Sequence, residues 1–433
     1  MSQQPILIEN ARLLDPESGY EGPGAIRVRD GRIADLHKGE SHPLASADER
    51  VIDADGALLC PGLVDLRVRT GEPGAESKET LESAALAAVA GGVTSIVVQP
   101  DTDPVVDDPA MVDFILRRSR DIGLAHVYPA AAATKGLDGK ALAEIGLMAE
   151  AGAVYATNAD RPIVDSRLMR RLLSYAGGLG VLIAHRPADP WLAADATEGE
   201  FAGRLGLAAE PVAAETIMLE RDLALVELTG ARFLVDQISA AAPLETLARA
   251  KARGLPVIAT ASINHLTFNE LDIGDYRTFC KLIPPLRAED DRLALGQAVK
   301  SGLVDVVVSA HTPAPPEDKR LPFEEAVAGS VGLQTLLPAL LTLHHEGVAP
   351  LMQLIRSVTL APARAVGLPA GTLSPGAPAD LILCATDAPL LIDAAHLISR
   401  SKNSVFDGRR LQGEVRLTMV AGRIVHDQRE GRA

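Results

Sequence analysis

From residue 63 to residue 309 the chain alternates eight short apolar, β-rich runs with helix-length segments. The runs fall at 63–68, 93–98, 124–128, 154–156, 181–185, 232–235, 256–259 and 304–309. Helical patterns lie between them at 78–90, 109–118, 139–150, 166–179, 213–229, 244–252 and 292–300. Strands that alternate with helices build a parallel α/β sheet, and eight of them predict a (β/α)8 TIM-type barrel over 61–370. Two further helices are expected at 323–346 and 351–366. The first is apolar along much of its length, which predicts packing against the barrel. Residues 1–60 and 371–433 read as β-rich, with turn signals at Asp30-Gly31 and Asp55-Gly56 and a hairpin pattern over 413–426. Those two end segments are expected to pair into one small β-sandwich domain.

The balance of charge is acidic, with a formal net charge of -15, which argues against nucleic acid and against an anionic membrane surface. Cys60, Cys280 and Cys384 are scattered and odd in number, so no disulfide framework or Cys-rich zinc motif is expected. The residues from Met1 show no basic, apolar leader pattern, and no run suits a bilayer span. A cytoplasmic protein is the expectation.

The active end of such a barrel is the C-terminal end of its strands. Pro61-Gly62 leads into the first strand, which closes on Arg67 and Arg69. Spacing i, i+2 puts both side chains on one face. Two histidines there would hold a divalent metal; arginine has no lone pair to give and stays protonated. The other strand ends offer Asp101 and Asp103, Asn158 and Asp160, His185, Asp236-Gln237, and Ala310-His311. A lone histidine at a strand end is ordinarily a hydrogen-bonded core residue, and that is the expectation for His185 and His311. The other histidines, His42 and His265 among them, form no ligand pattern, and His344-His345 suits a helix C-terminus. No nucleophile elbow or phosphate loop is present. Gly91-Gly92 reads as a helix C-cap before the second strand.

The stretches 61–73 and 88–104, Thr134-Lys-Gly-Leu137, Lys281-Leu-Ile-Pro-Pro-Leu-Arg287, Ser309-Ala-His-Thr-Pro313 and 413–422 resemble the dihydroorotases of the amidohydrolase superfamily. The similarity runs from near residue 5 to near residue 426. The resemblance implies metal-ligand positions at Arg67, Arg69, Asn158, His185, Gln237 and Ala310, of which only His185 keeps a ligand type. It implies substrate-binding positions at Gly71, Asp101 and Ile283, all altered. From these exchanges follows the expectation of a catalytically silent dihydroorotase-like protein without a cofactor. The resemblance implies for it a structural role beside aspartate carbamoyltransferase in pyrimidine synthesis, as part of an oligomer. The alternative is an active amidohydrolase on dihydroorotate or another cyclic amide, with zinc in a rearranged site. A third reading is a small-molecule sensor with an anion at the arginines. Arg67 and Arg69 are expected to be buried and paired with Glu72, Asp65, Asp101 or Asp160; the alternative is that both reach solvent.

Overall fold

A computed structural model describes residues 4–40 and 43–429. The start at Met1 and His42 lie outside the described residues. The N-terminal segment forms β1 (Ile6–Asp15), β2 (Tyr20–Arg29), β3 (Arg32–Lys38), β4 (Arg50–Asp53) and β5 (Leu58–Pro61). The parallel strands follow: β6 (Leu63–Val68), β7 (Val93–Val98), β8 (His126–Pro129), β9 (Ala131–Ala132), β10 (Ala156–Thr157) and β11 (Ile183–His185). A short pair, β12 (Ala196–Thr197) and β13 (Ala209–Glu210), interrupts them before β14 (Phe233–Val235), β15 (Val257–Ser262) and β16 (Val306–Val308). The chain ends with β17 (Leu381–Leu391), β18 (Arg410–Val420) and β19 (Arg423–Asp427).

The architecture is α/β. β6, β7 and β8 form one parallel sheet in chain order, and β9, β10, β11, β14, β15 and β16 form a second. Two contacts carry the order across the gaps. The Ala130 N–H donates to Val98 O at 2.9 Å, and Val68 of β6 bridges His311 just past β16. Strands β6 and β7 match the sequence expectation at both ends because all their residues are buried and nothing in them breaks the pattern. Their side chains reach a shared core with the helices Leu81–Ala90, Pro109–Ile122 and Ser166–Leu179. The first of these helices begins on a Thr80–Ser83 capping box, later than the expected start at 78, and its end at Gly91 is as read from the sequence.

Three expectations need correcting. Residues 139–144 are not helical; a 3-10 turn at Lys135–Leu137 precedes a short helix, Ile145–Ala151. Only Leu336–His345 of the long apolar segment is helical, because Gly329 takes φ 133° and Ser330 bridges His311 in extended form. That helix does pack inward, with Leu341 so close to β18 that Gly413 has no room for a Cβ. The helix expected at 351–366 breaks at Thr359 into Leu351–Val358 and Leu360–Val366; Pro362 then sits in a first turn, where its missing N–H costs nothing. The end segments pair as expected, in one hydrogen-bonded eight-stranded sheet. β5 joins the halves, parallel to β1 and antiparallel to β17.

No helix among the described residues is long and apolar enough to cross a membrane.

Candidate active site

Strand β6 delivers Arg67 and Arg69 to the same end of the parallel strands as Asp160, Gln237 and Ala310. Arg67 is 3% exposed. Its Nη2 lies 2.6 Å from Asp160 Oδ1, and its Nε lies 3.0 Å from Asp236 Oδ2. Arg69 holds Asp101 at 2.7 Å through Nε and Asp160 at 2.6 Å through Nη1. Arg186 completes the set, with Nε 3.2 Å from Asp160 Oδ1 and Nη2 donating to the Asp160 carbonyl at 2.9 Å. Gln237, with its amide oxygen turned inward as the surrounding donors require, accepts from Arg67 Nε at 2.8 Å and Nη2 at 3.1 Å. Three guanidiniums and three carboxylates thus close on one another around Asp160.

Burial pushes the Asp160 carboxyl up, but Arg69, Arg67 and Arg186 outweigh it and hold the group far below the usual carboxylate range. Asp236 goes the other way: burial raises it further than Arg67 lowers it. Burial also raises Asp65, to about 6. Asp65 accepts the backbone N–H of Arg67 at 3.1 Å and that of Ser309, so it organises the strand beneath the arginines.

The sequence-predicted residues divide into two groups. Arg67, Arg69, Gln237, Ala310 and Ile283 line one small cavity at the mouth, and Asp101 joins it through Arg69. Asn158 lies aside, buried, with Oδ1 accepting from Thr134 at 2.7 Å and Nδ2 donating to the Arg161 carbonyl at 3.0 Å. His185 is core: Nδ1 lies 2.7 Å from Asp222, and Nε2 accepts the Ile163 N–H at 2.9 Å. The one retained ligand type therefore has both ring nitrogens committed. His311 Nδ1 accepts the Gly332 N–H at 3.1 Å, and Nε2 lies 3.5 Å from Glu79. Gly71 cannot be restored to a larger residue on this backbone, since a Cβ would meet the Ala75 carbonyl at 1.8 Å. Asp103 takes no part in the lattice.

The buried-pair expectation for the arginines holds, with changed partners. Glu72 binds Arg118 at 2.8 Å and the Leu81 N–H, and Asp65 binds the Arg67 backbone and Ser309 rather than a guanidinium. Arg186 is the member that sequence reasoning missed, and Asp236 was placed at its strand end without being paired with the arginines. Their positions after β11 and β14 were the available signal. Ser262, Asn264 and His265, from the strand end of β15 and the short helix Ile263–Thr267 after it, were missed as well. His265 is held neutral, pushed down to about 4 by burial and by Arg287, while Nε2 contacts the Pro284 and Pro285 carbonyls at 3.1 and 3.2 Å. Asn264 Oδ1 is buried with no hydrogen-bond partner among the described residues. Ala159, Gln237 and Ala310 all take left-handed φ, at 51°, 58° and 52°. Such strain in non-glycine residues collects at functional sites, at a cost of about 1–3 kcal/mol each.

A model of the dihydro-orotase-like family matches residues 56–242, and one of the amidohydrolase family matches residues 335–426. The dihydroorotase of Anaeromyxobacter sp. (strain K) is 40% identical over 432 residues, 99% of each chain. The chain belongs to the dihydroorotase-like family of amidohydrolases. The dihydroorotase of Desulforapulum autotrophicum, another relative, is 39% identical over 98% of this chain and 99% of its own. Among solved structures, the L-hydantoinase (dihydropyrimidinase) from Arthrobacter aurescens is similar with a TM-score of 0.86 and 25% identity, over 98% of this chain and 96% of that one. A dihydropyrimidinase from Brevibacillus agri NCHU1002 shares the fold, with a TM-score of 0.84 at 19% identity over 98% of this chain and 95% of that one.

These relatives overturn two expectations. Proteins alike over almost their whole length are named dihydroorotases, which favours an active amidohydrolase over a silent scaffold. Amidohydrolases of this kind are typically zinc-dependent, which contradicts the expectation that no cofactor belongs to the fold. The residues at the mouth do not themselves fit a zinc ion. No group of three or more His, Cys, Asp or Glu stands ready to hold a metal among the described residues. The mouth carboxylates Asp101, Asp160 and Asp236 are each already bound to a guanidinium.

Proposed function

We propose that the chain is a hydrolase that opens the ring of a cyclic amide, dihydroorotate or a hydantoin, at a rearranged site at the strand ends. The observation that supports this best is the 40% identity to a dihydroorotase across 99% of both chains. The two parallel sheets, with β8 and β9 counted as one strand interrupted at Ala130, are read as one eight-stranded barrel over 61–370, capped by a domain built from 1–60 and 371–433. In this reading Arg69, whose side chain is 18% exposed, faces the substrate and stabilises negative charge that develops on the amide oxygen. Asn264 Oδ1, lacking a hydrogen-bond partner among the described residues, accepts from the ring N–H. Asp236 is the carboxylate suited to take a proton, because burial has raised it, whereas Asp160 is held too acidic for that task. The cavity encloses only about 20 Å3, room for a water, so the substrate enters by displacing the half-exposed Ile283 segment.

The test is ring opening by purified protein, with metal content measured in the same sample. Turnover of dihydroorotate or a hydantoin, abolished in Arg69→Ala, is the expected result. No turnover of either substrate, with or without added zinc, overturns the proposal. Assembly as a homo-oligomer, association with aspartate carbamoyltransferase and a place in the cytoplasmic synthesis of pyrimidines complete the proposal. Co-purification with that enzyme, absent from a control with an unrelated acidic protein, is the expected outcome for the partner.

A further inference from the structure

Beside the mouth, and sharing no residue with it, lies a second cleft of about 610 Å3. Arg277, Lys319, Arg320 and Lys402 line it, and Asp407 is its one carboxylate. Four cations in one cleft are unusual in a chain of net charge -15. None of the four is paired with a carboxylate among the described residues. Arg277 Nη2 donates to the Asp407 carbonyl at 3.0 Å, and Lys402 donates to the carbonyls of Leu397 and Ser399. Lys319, 5% exposed, donates to the Thr278 carbonyl at 3.0 Å. Arg320 is exposed and has no acidic partner. The Asp407 carboxylate is itself occupied, accepting the Ala394 N–H at 2.9 Å.

Carbonyl dipoles hold Arg277, Lys319 and Lys402 in place and supply no formal negative charge. A nearly buried lysine normally requires a counter-ion. Burial pushes Lys319 down to about 7; Lys281 acts in the same direction, while Cys280 and Asp318 oppose it. Within the cleft the one carboxylate, Asp407, is bound to backbone rather than to a cation. Tyr276 and Phe279 add aromatic surface to the same wall.

We infer that this cleft binds a phosphate-bearing small molecule of the nucleotide class, at a site separate from the strand-end mouth. Two or more phosphate groups suit four cations spread over the cleft, because each guanidinium and ammonium gives charge-assisted bonds to phosphate oxygens. The inference does not depend on what the mouth catalyses.

Calorimetric titration of the full chain with inorganic tripolyphosphate tests it, with adenosine as the uncharged arm and ATP as the nucleotide arm. Saturable binding of tripolyphosphate and of ATP, and none of adenosine, is expected. Arg320→Ala/Lys402→Ala should weaken both anions about tenfold or more, whereas Arg117→Ala, on a distant exposed helix face, should leave them unchanged. Circular dichroism verifies the fold of each variant. If the double variant unfolds, Arg320→Ala alone decides, since its side chain is exposed. Absence of saturable binding, or equal affinity in wild type and the decisive variant, overturns the inference.

Discussion

The mouth and the basic cleft hold nearly the same cations in opposite electrostatic states. At the mouth, Arg67, Arg69 and Arg186 face Asp101, Asp160 and Asp236, and the charges close on one another. In the cleft, Arg277, Lys319 and Lys402 rest on backbone carbonyls and Arg320 is exposed, and none of the four is paired with a carboxylate among the described residues. The volumes agree with this: about 20 Å3 at the mouth against about 610 Å3 in the cleft. Satisfied charges draw their surroundings in, and unsatisfied ones leave space for a ligand that supplies the counter-charge. Counting arginines does not reveal an anion site; the partner of each does.

The comparison breaks most readily at Arg67. Arg67→Met strips Asp236 of its guanidinium and Asp160 of one of three, leaving buried charge, and should cost about 3–5 kcal/mol by urea unfolding at neutral pH. Unchanged stability would mean that the mouth is open to water. Asp65 offers a second test, through pH. Its folded-state value of about 6 lies above the unfolded value, so the folded state holds the proton longer. Its contribution therefore turns unfavourable as pH rises from about 4 to about 6, by up to about 3 kcal/mol. Asp65→Asn should flatten that part of the stability profile; an unaltered slope would place its source elsewhere. Arg69→Ala should cost less than Arg67→Met, about 1–2 kcal/mol, because its side chain already meets solvent. Smallest of all, Arg364→Ala loses an exposed pair with Glu17 and should stay within about 0.5 kcal/mol.

Much of the scaffold was legible because burial imposes patterns. The apolar run at Leu63–Val68 and the amphipathic stretch at Ser166–Leu179 were bounded correctly from sequence. Less legible were segments where tertiary contacts override local preference. Residues 323–335 carry helix-compatible apolar residues, yet Ser330 is drawn into extended pairing with His311. The two end segments join in one sheet because β5 has both edges occupied, which no period-two pattern can announce.

At the site, the i, i+2 spacing placed Arg67 and Arg69 together correctly, and their burial followed. Their partners were partly misassigned, since Glu72 lies near in sequence while Asp236 arrives from a distant strand. The inference from missing metal ligands to a silent protein failed for a different reason. Exchanged ligands describe what a site has lost, whereas the whole-length likeness to dihydroorotases bears on what the chain does.

The exchange of the arginine side-chain Nε–H protons, followed by NMR, tests the closed mouth most directly. Arg67, whose Nε–H faces Asp236 and the Gln237 amide oxygen, should give a protected signal at neutral pH that Asp236→Asn weakens, while Arg320 exchanges freely. Exchange of Arg67 as fast as that of Arg320 would contradict the account.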